Sequence, residues 1–192
     1  MSVDVEVELP RPVSLGAVAR ETGLVLGELL GGTVVPGFDV LDGDGRPLSG
    51  ARLDRTLIGE RLPPAPDGNR PAIFFDLVMP ATGDGVQLMV IDHRPDNVFA
   101  IISPYRTCVG VTFAVGLGLA TARLTGGPYT DEIRLAEDDE TDPEAVIART
   151  RLTAAGVDFA EECERYLRRA PAMTAWPTLR SAAGLPAWKS RV

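Results

Sequence analysis

The hydrophobic pattern changes period several times along the chain, and each change predicts an element. Val3-Asp4-Val5-Glu6-Val7-Glu8-Leu9 alternates apolar and acidic residues, the period-two signature of a half-buried strand. Pro10 and Pro12 end it. Apolar residues then recur at helical spacing, at Leu15, Val18, Ala19, Val25, Leu26, Leu29 and Leu30, with Ser14 as N-cap and Gly31-Gly32 as the exit. Thr33–Val35 and Phe38–Leu41 read as a second strand, interrupted at Pro36-Gly37. Asp42-Gly43-Asp44-Gly45 reads as a turn. Leu57-Ile58 reads as a short edge strand. Ala72–Met79, Val86–Ile91 and Val98–Ile102 are three apolar strands whose short connections predict an antiparallel meander.

The longest apolar stretch is Thr107–Leu124, uncharged from Thr107 to Ala122 and stopped by Thr125-Gly126-Gly127-Pro128. A membrane span and a buried helix are the two readings. The 16 uncharged residues between Arg106 and Arg123 would make about 24 Å of helix, short of the roughly 30 Å hydrocarbon core. Length therefore favours a buried helix, with Gly110, Gly116 and Gly118 as points of close packing. Beyond it, Tyr129–Leu135 reads as a strand. Asp142-Pro143 opens a helix that runs to about Ala154, with Thr141 and Glu144 as an alternative capping box. Asp158 with Glu161 caps a further helix, whose apolar face is Phe159, Ala160, Cys163, Tyr166, Leu167 and Ala170. The proline-punctuated tail from Pro171 carries Trp176 and Trp188, which either pack back on the domain or reach a partner.

These elements predict an α+β fold with a mainly antiparallel sheet of about five to six strands. Two helices lie on one face of the sheet, and C-terminal helices are added. Residues 1–142 form the α+β domain and residues 143–192 a helical extension packed on it. The two sheet-packed helices share a plan of strand, proline, helix and Gly-Gly. The double glycines would allow a left-handed exit from each helix.

Composition narrows the function classes. An apolar content of 45% and a charged content of 24% are those of a globular protein. The net charge is −8, distributed unevenly: residues 1–142 hold 11 basic against 22 acidic side chains, and residues 143–192 hold 8 against 5. An acidic body argues against nucleic-acid binding and suits a basic protein partner. No basic-then-apolar leader opens the chain, so a cytoplasmic location without membrane attachment is expected. Lysine occurs once, at Lys189, against 18 arginines, a bias that points to a high-G+C bacterial genome.

Candidate chemistry is sparse. His93 is the only histidine, Asp92 precedes it, and Cys108 opens the apolar helix, where a thiolate would be stabilised. A Cys108–His93 pair oriented by Asp92 is one reading; a packed cysteine and a histidine in a surface turn is the other. Cys108 and Cys163 are expected as reduced thiols, with no zinc spacing. Asp42-Gly43-Asp44-Gly45 fails as a calcium loop because the twelfth position is Leu53. Gly116-x-Gly118 lies inside a helix and is no dinucleotide fingerprint. No metal or other cofactor is expected. The acidic run Glu137-Asp138-Asp139-Glu140 is either a docking site for a basic partner or a solvated loop.

The order of strand, helix, several strands and long apolar helix, followed by ATARLTGGPYTDEIRL, resembles the SitI-like immunity proteins of bacterial polymorphic toxin systems. In that family an alanine-rich helix leads into a t-G-G-x-x-x-D step. Leu124, Thr125, Gly126, Gly127, Tyr129 and Asp131 stand at the matching positions. The likeness covers roughly Val86–Leu135, and residues 143–192 have no counterpart. It implies a protein that binds a cognate toxin without catalysis, and it places Tyr129 and Asp131 among the binding residues. The expected function is thus a non-enzymatic cytoplasmic binding protein, an immunity protein for a basic toxin domain. The alternatives are a small-molecule binder or cysteine-dependent enzyme with a pocket near Cys108, and a structural subunit self-associating through its C-terminal region.

Overall fold

A computed structural model describes residues 3–64, 70–93, 97–133 and 140–183. In chain order the elements are β1 (Val5–Glu8), β2 (Val13–Ser14), α1 (Leu15–Leu29), β3 (Asp39–Asp42), β4 (Pro47–Leu48), α2 (Gly50–Arg55) and β5 (Leu57–Ile58). There follow β6 (Ala72–Met79), β7 (Asp84–His93), β8 (Asn97–Pro104), α3 (Cys108–Thr125), β9 (Tyr129–Asp131), α4 (Pro143–Thr150) and α5 (Phe159–Leu167). The protein is α+β. Seven strands form one antiparallel sheet in the order β4-β3-β6-β7-β8-β1-β9, and β2 pairs with β5 in a separate ribbon.

The alternation in β1 sets its orientation. Val3, Val5, Val7 and Leu9 are buried, and the acids between them face the other way. β1 slots between β8 and β9, with Val5 opposite Ile102 and Asp131. The meander β6-β7-β8 forms as the three apolar runs predict. Leu77, Met79, Leu88, Val90, Ala100 and Ile102 point to the buried face.

Two expectations are corrected. Thr33–Val35 forms no strand: Val34 is 85% exposed, and the segment runs as a loop until β3 begins at Asp39. Pro36 lacks a ladder donor, so pairing starts only after it. Leu57-Ile58 does form a strand, but it pairs with Val13-Ser14 rather than with an edge of the main sheet.

α3 is the centre of the molecule. All its residues except Arg123 and Leu124 are buried, although by length and composition it could cross a membrane. The sheet lies on one side, α1 on another, and α4 and α5 cover the remainder. Its glycines are contact points. A Cβ at Gly116 would lie 2.7 Å from Leu26 Cγ of α1. One at Gly118 would overlap Val5 and come within 3.0 Å of the Tyr129 ring. Thr107 caps the helix through Gly110 N, and Gly126 ends it in the left-handed region at φ 73°.

The C-terminal segment completes this helix. The free amides of its first turn donate to main-chain carbonyls of that segment: Cys108 N to Leu179 O at 2.9 Å and Val109 N to Arg180 O at 3.1 Å. Arg168 donates to Pro177 O at 2.6 Å, and Arg180 pairs with Glu164 and Glu161. The Ala182 amide donates to both oxygens of Asp84 at 3.2 Å. Trp176 packs partly buried against the core. Trp188 lies outside the described residues.

Near the other end of α3, Arg123 gathers three carboxylates. It meets Glu21 at 2.9 Å, Glu28 at 3.1 Å and Glu144 at 2.6 Å, tying α1, α3 and α4 together. Glu28 is held below its usual carboxylate range, chiefly by its hydrogen bond from Arg123.

Candidate functional site

Asp92, His93 and Cys108 are not brought together. β7 carries Asp84 at one end and His93 at the other, nine residues away, which is about 30 Å of strand. Cys108 sits beside the Asp84 end, since the Thr107 hydroxyl next to it donates to the Asp84 carboxylate. His93 is at the far end, where its Nε2 lies 2.7 Å from Arg70 Nη1 and its ring meets Phe99 edge-on at 5.6 Å. Asp92 faces the opposite side of the strand. It is buried and accepts from Arg61 Nη1 at 2.7 Å and Leu62 N at 3.0 Å, anchoring the loop after β5.

Cys108 is fully buried under the C-terminal segment, with Pro177 O 3.8 Å and Arg168 Nη2 3.6 Å from its sulfur. Burial pushes its thiol up, and the nearby Arg168 charge offsets this only in part. The helix N-terminus activates nothing here because main-chain carbonyls already occupy its first-turn amides. In the folded protein, Cys108 is expected to react with a maleimide more slowly than a free model thiol at neutral pH, and to react fully in denaturant. Labelling faster than the model thiol would restore the cysteine-dependent reading. Cys163 is also a buried free thiol, held well above its usual range by desolvation.

The residues expected to bind a partner are placed as follows. Tyr129 is a core residue, 1% exposed, with its ring against Gly118 of α3. It therefore presents no surface, and burial drives its hydroxyl well above the usual range, with the Asp131 charge adding to the shift. Asp131 is half-buried on the same side of the sheet edge. Glu140 pairs with Arg149 at 3.7 Å and accepts from Asp142 N at 3.1 Å. Glu137, Asp138 and Asp139 lie outside the described residues. Among the described residues no group of histidine, cysteine and carboxylate side chains could hold a metal.

No protein-family model matches this chain, and neither a curated protein nor a solved structure does.

Two surfaces stand out. One is an open groove of about 760 Å³ between α1, α2 and the 33–40 loop. Gly23 and Gly27 floor it, and Leu24 and Val34 stand exposed nearby at 63% and 85%. It lies along α1, away from the α3 N-terminus and Cys108.

The second surface is the face of the seven-stranded sheet opposite α3. Register places its side chains in rows. Phe74, Met89, Ile101 and Glu6 lie side by side across β6, β7, β8 and β1. Ala72, Ile91, Phe99 and Glu8 form the next row, and Leu41, Asp76, Gln87 and Ser103 the row on the other side. No described helix packs over them; Phe74 is 43% exposed, and Met89, Ile91, Phe99 and Ile101 are half-buried. Glu6, Glu8 and Asp76 form no ion pair among the described residues. The apolar stripe was readable in the sequence as the alternate positions of three strands. That no described helix covers it was not, because both faces of these strands are apolar.

Proposed function

We propose that this chain is a non-enzymatic binding protein of the bacterial cytoplasm, an immunity protein that holds a basic toxin domain and so neutralises it. The observation that carries this reading is the sheet face over which no described helix packs, an apolar stripe flanked by carboxylates that form no ion pair among the described residues. Exposed apolar surface of this kind is characteristic of protein–protein contact. The acidic body favours a cationic partner and speeds its approach. The likeness of the Leu124–Asp131 step to the SitI-like family supports the same reading. Co-purification from the native host followed by mass spectrometry tests it. Recovery of a basic protein at stoichiometric yield is expected, and recovery of no protein partner overturns the proposal.

The α1 groove favours a second reading, a binder of a small apolar molecule. Its volume falls within the range of ligand pockets, and its walls are mostly apolar with few polar groups. A native mass spectrum of the protein isolated from its host separates the two: a bound small molecule in place of a protein partner decides for the groove.

A further inference from the structure

We infer that the open sheet face is the docking surface, and that its occupant is a protein segment presenting apolar side chains flanked by lysine or arginine. This rests on the binding-protein reading and names the chemistry of the partner at that site.

The face has two kinds of surface in fixed register. Its apolar part, Phe74, Met89 and Ile101 with Ile91 and Phe99 in the next row, spans three strands, about 10 Å across at the usual strand spacing. Its acidic part is a continuation of the same rows. Glu6 is the cross-strand neighbour of Ile101, and Glu8 of Phe99. Cross-strand Cβ atoms lie about 5 Å apart. A lysine or arginine of the occupant therefore reaches Glu6 or Glu8 while its methylene stem lies over Ile101 or Phe99. Asp76 offers a third carboxylate at the edge of the stripe, opposite Gln87.

Charge decides between occupants. A second copy related by a two-fold axis would set these carboxylates either against one another or over the apolar row of the other copy, with no counter-charge in either case. An anionic or purely apolar segment leaves Glu6, Glu8 and Asp76 partly desolvated without a counter-charge, at a cost in free energy. A purely cationic one leaves Phe74, Met89 and Ile101 in water. Only a segment with both features satisfies both parts of the face.

Met89 supplies a direct reporter: of the four methionines Met79 and Met173 are fully buried, and a Met89→Leu variant assigns its signal apart from that of Met1. The intact chain, labelled at its methionine methyl groups, would be titrated with three short synthetic peptides of equal length: alternating Lys–Leu, alternating Glu–Leu and alternating Lys–Ser. The Lys–Leu peptide is expected to shift the Met89 methyl signal and to bind at least tenfold more tightly than either control. The double substitution Glu6→Gln with Glu8→Gln is expected to weaken that binding about tenfold, as two modest ion pairs would. Carboxamides at exposed Glu6 and half-buried Glu8 leave the fold intact, which the unchanged Met79 and Met173 signals would verify.

Equal binding of the Glu–Leu peptide, saturation with Met89 unmoved, or an unchanged affinity in the double variant overturns the inference. So does a Met89 shift that tracks protein concentration without peptide, since that marks a second copy as occupant. A co-purified native partner that leaves Met89 unmoved also overturns it, yet leaves the binding-protein reading standing.

Discussion

Gly127→Ala is expected to destabilise the protein by about 3 kcal/mol or more, a large share of the roughly 5–15 kcal/mol of a typical domain. A Cβ at Gly127 would overlap the Glu8 carbonyl oxygen and lie 2.8 Å from its carbon. The obstacle is backbone, held by the hydrogen bond from Glu8 N to Pro128 O and by the pairing of β1 with β9, so it cannot turn aside as a side chain would. Gly126→Ala is the informative contrast. Its Cβ would meet nothing within 4 Å, and its only penalty is the left-handed backbone at φ 73°, about 1–2 kcal/mol. Denaturant midpoints of the two variants test the assignment. Equal losses would show that the two glycines serve the same purpose.

The two glycines illustrate what the sequence could and could not convey. Gly-Gly after an apolar helix predicts a helix exit, and Gly126 provides one. The role of Gly127 depends on where β1 passes, more than a hundred residues away in sequence, and no local pattern encodes that. The same division holds across the molecule. The alternation of Val3–Leu9, the three meander strands and the caps at Ser14, Asp142 and Asp158 all follow from local spacing and were legible. The insertion of β1 between β8 and β9 and the ribbon of β2 with β5 depend on tertiary pairing and were not. Val34 and Val35 carried strand propensity, but Pro36 beside them withheld a ladder donor.

The candidate site was less legible than the fold. Tyr129 was expected to bind a partner together with Asp131, yet it fills the space left by Gly118 on α3. That complementarity between a helix glycine and a strand tyrosine appears only once the two are packed. Cys108 looked activated by its helix N-terminus until the 179–180 carbonyls took the amides it depended on. Glu6 and Glu8, read only as the polar side of a half-buried strand, prove to border an apolar stripe that no described helix covers.

The second large effect is expected at Asp84. Its carboxylate is fully buried, accepts from the Thr107 hydroxyl and the Ala182 amide, and so joins β7, the start of α3 and the C-terminal segment. Asp84→Leu leaves both donors unpaired in the interior and is expected to cost about 2–4 kcal/mol. It should also release the segment around Trp176, changing tryptophan emission and raising the labelling rate of Cys108. Asp84→Asn keeps an acceptor and removes the charge, so its cost at neutral pH is expected to be small.

The pH dependence separates these effects. Burial raises the Asp84 carboxyl above its ordinary value, and the hydrogen bonds from Thr107 and Ala182 lower it only in part. The folded state therefore binds this proton more tightly than the unfolded state. The resulting stability is fully present below the unfolded value and is lost as pH rises through the folded one. Glu28 and Glu164, held low by arginines, slope the opposite way. The difference between wild type and Asp84→Asn isolates the Asp84 contribution. Wild-type stability relative to the variant should fall with rising pH across that window. A flat difference would mean that the carboxylate is solvated or compensated in the folded protein.

The satisfaction of α3 by residues 179 and 180 has a consequence for how the protein is made. Synthesis proceeds from the N-terminus, so α3 is finished at Thr125 while α4, α5 and the carbonyls that cap its first turn are still to be translated. From Thr125 to Ala183 the ribosome must add 58 residues, roughly 3–12 s at about 5–20 residues per second. Throughout that interval the nascent chain carries an apolar helix with one flank bare and its leading amides unmet. A chaperone that recognises exposed apolar helix has its opportunity then, and a chain cut short before residue 179 keeps that helix exposed for as long as it exists.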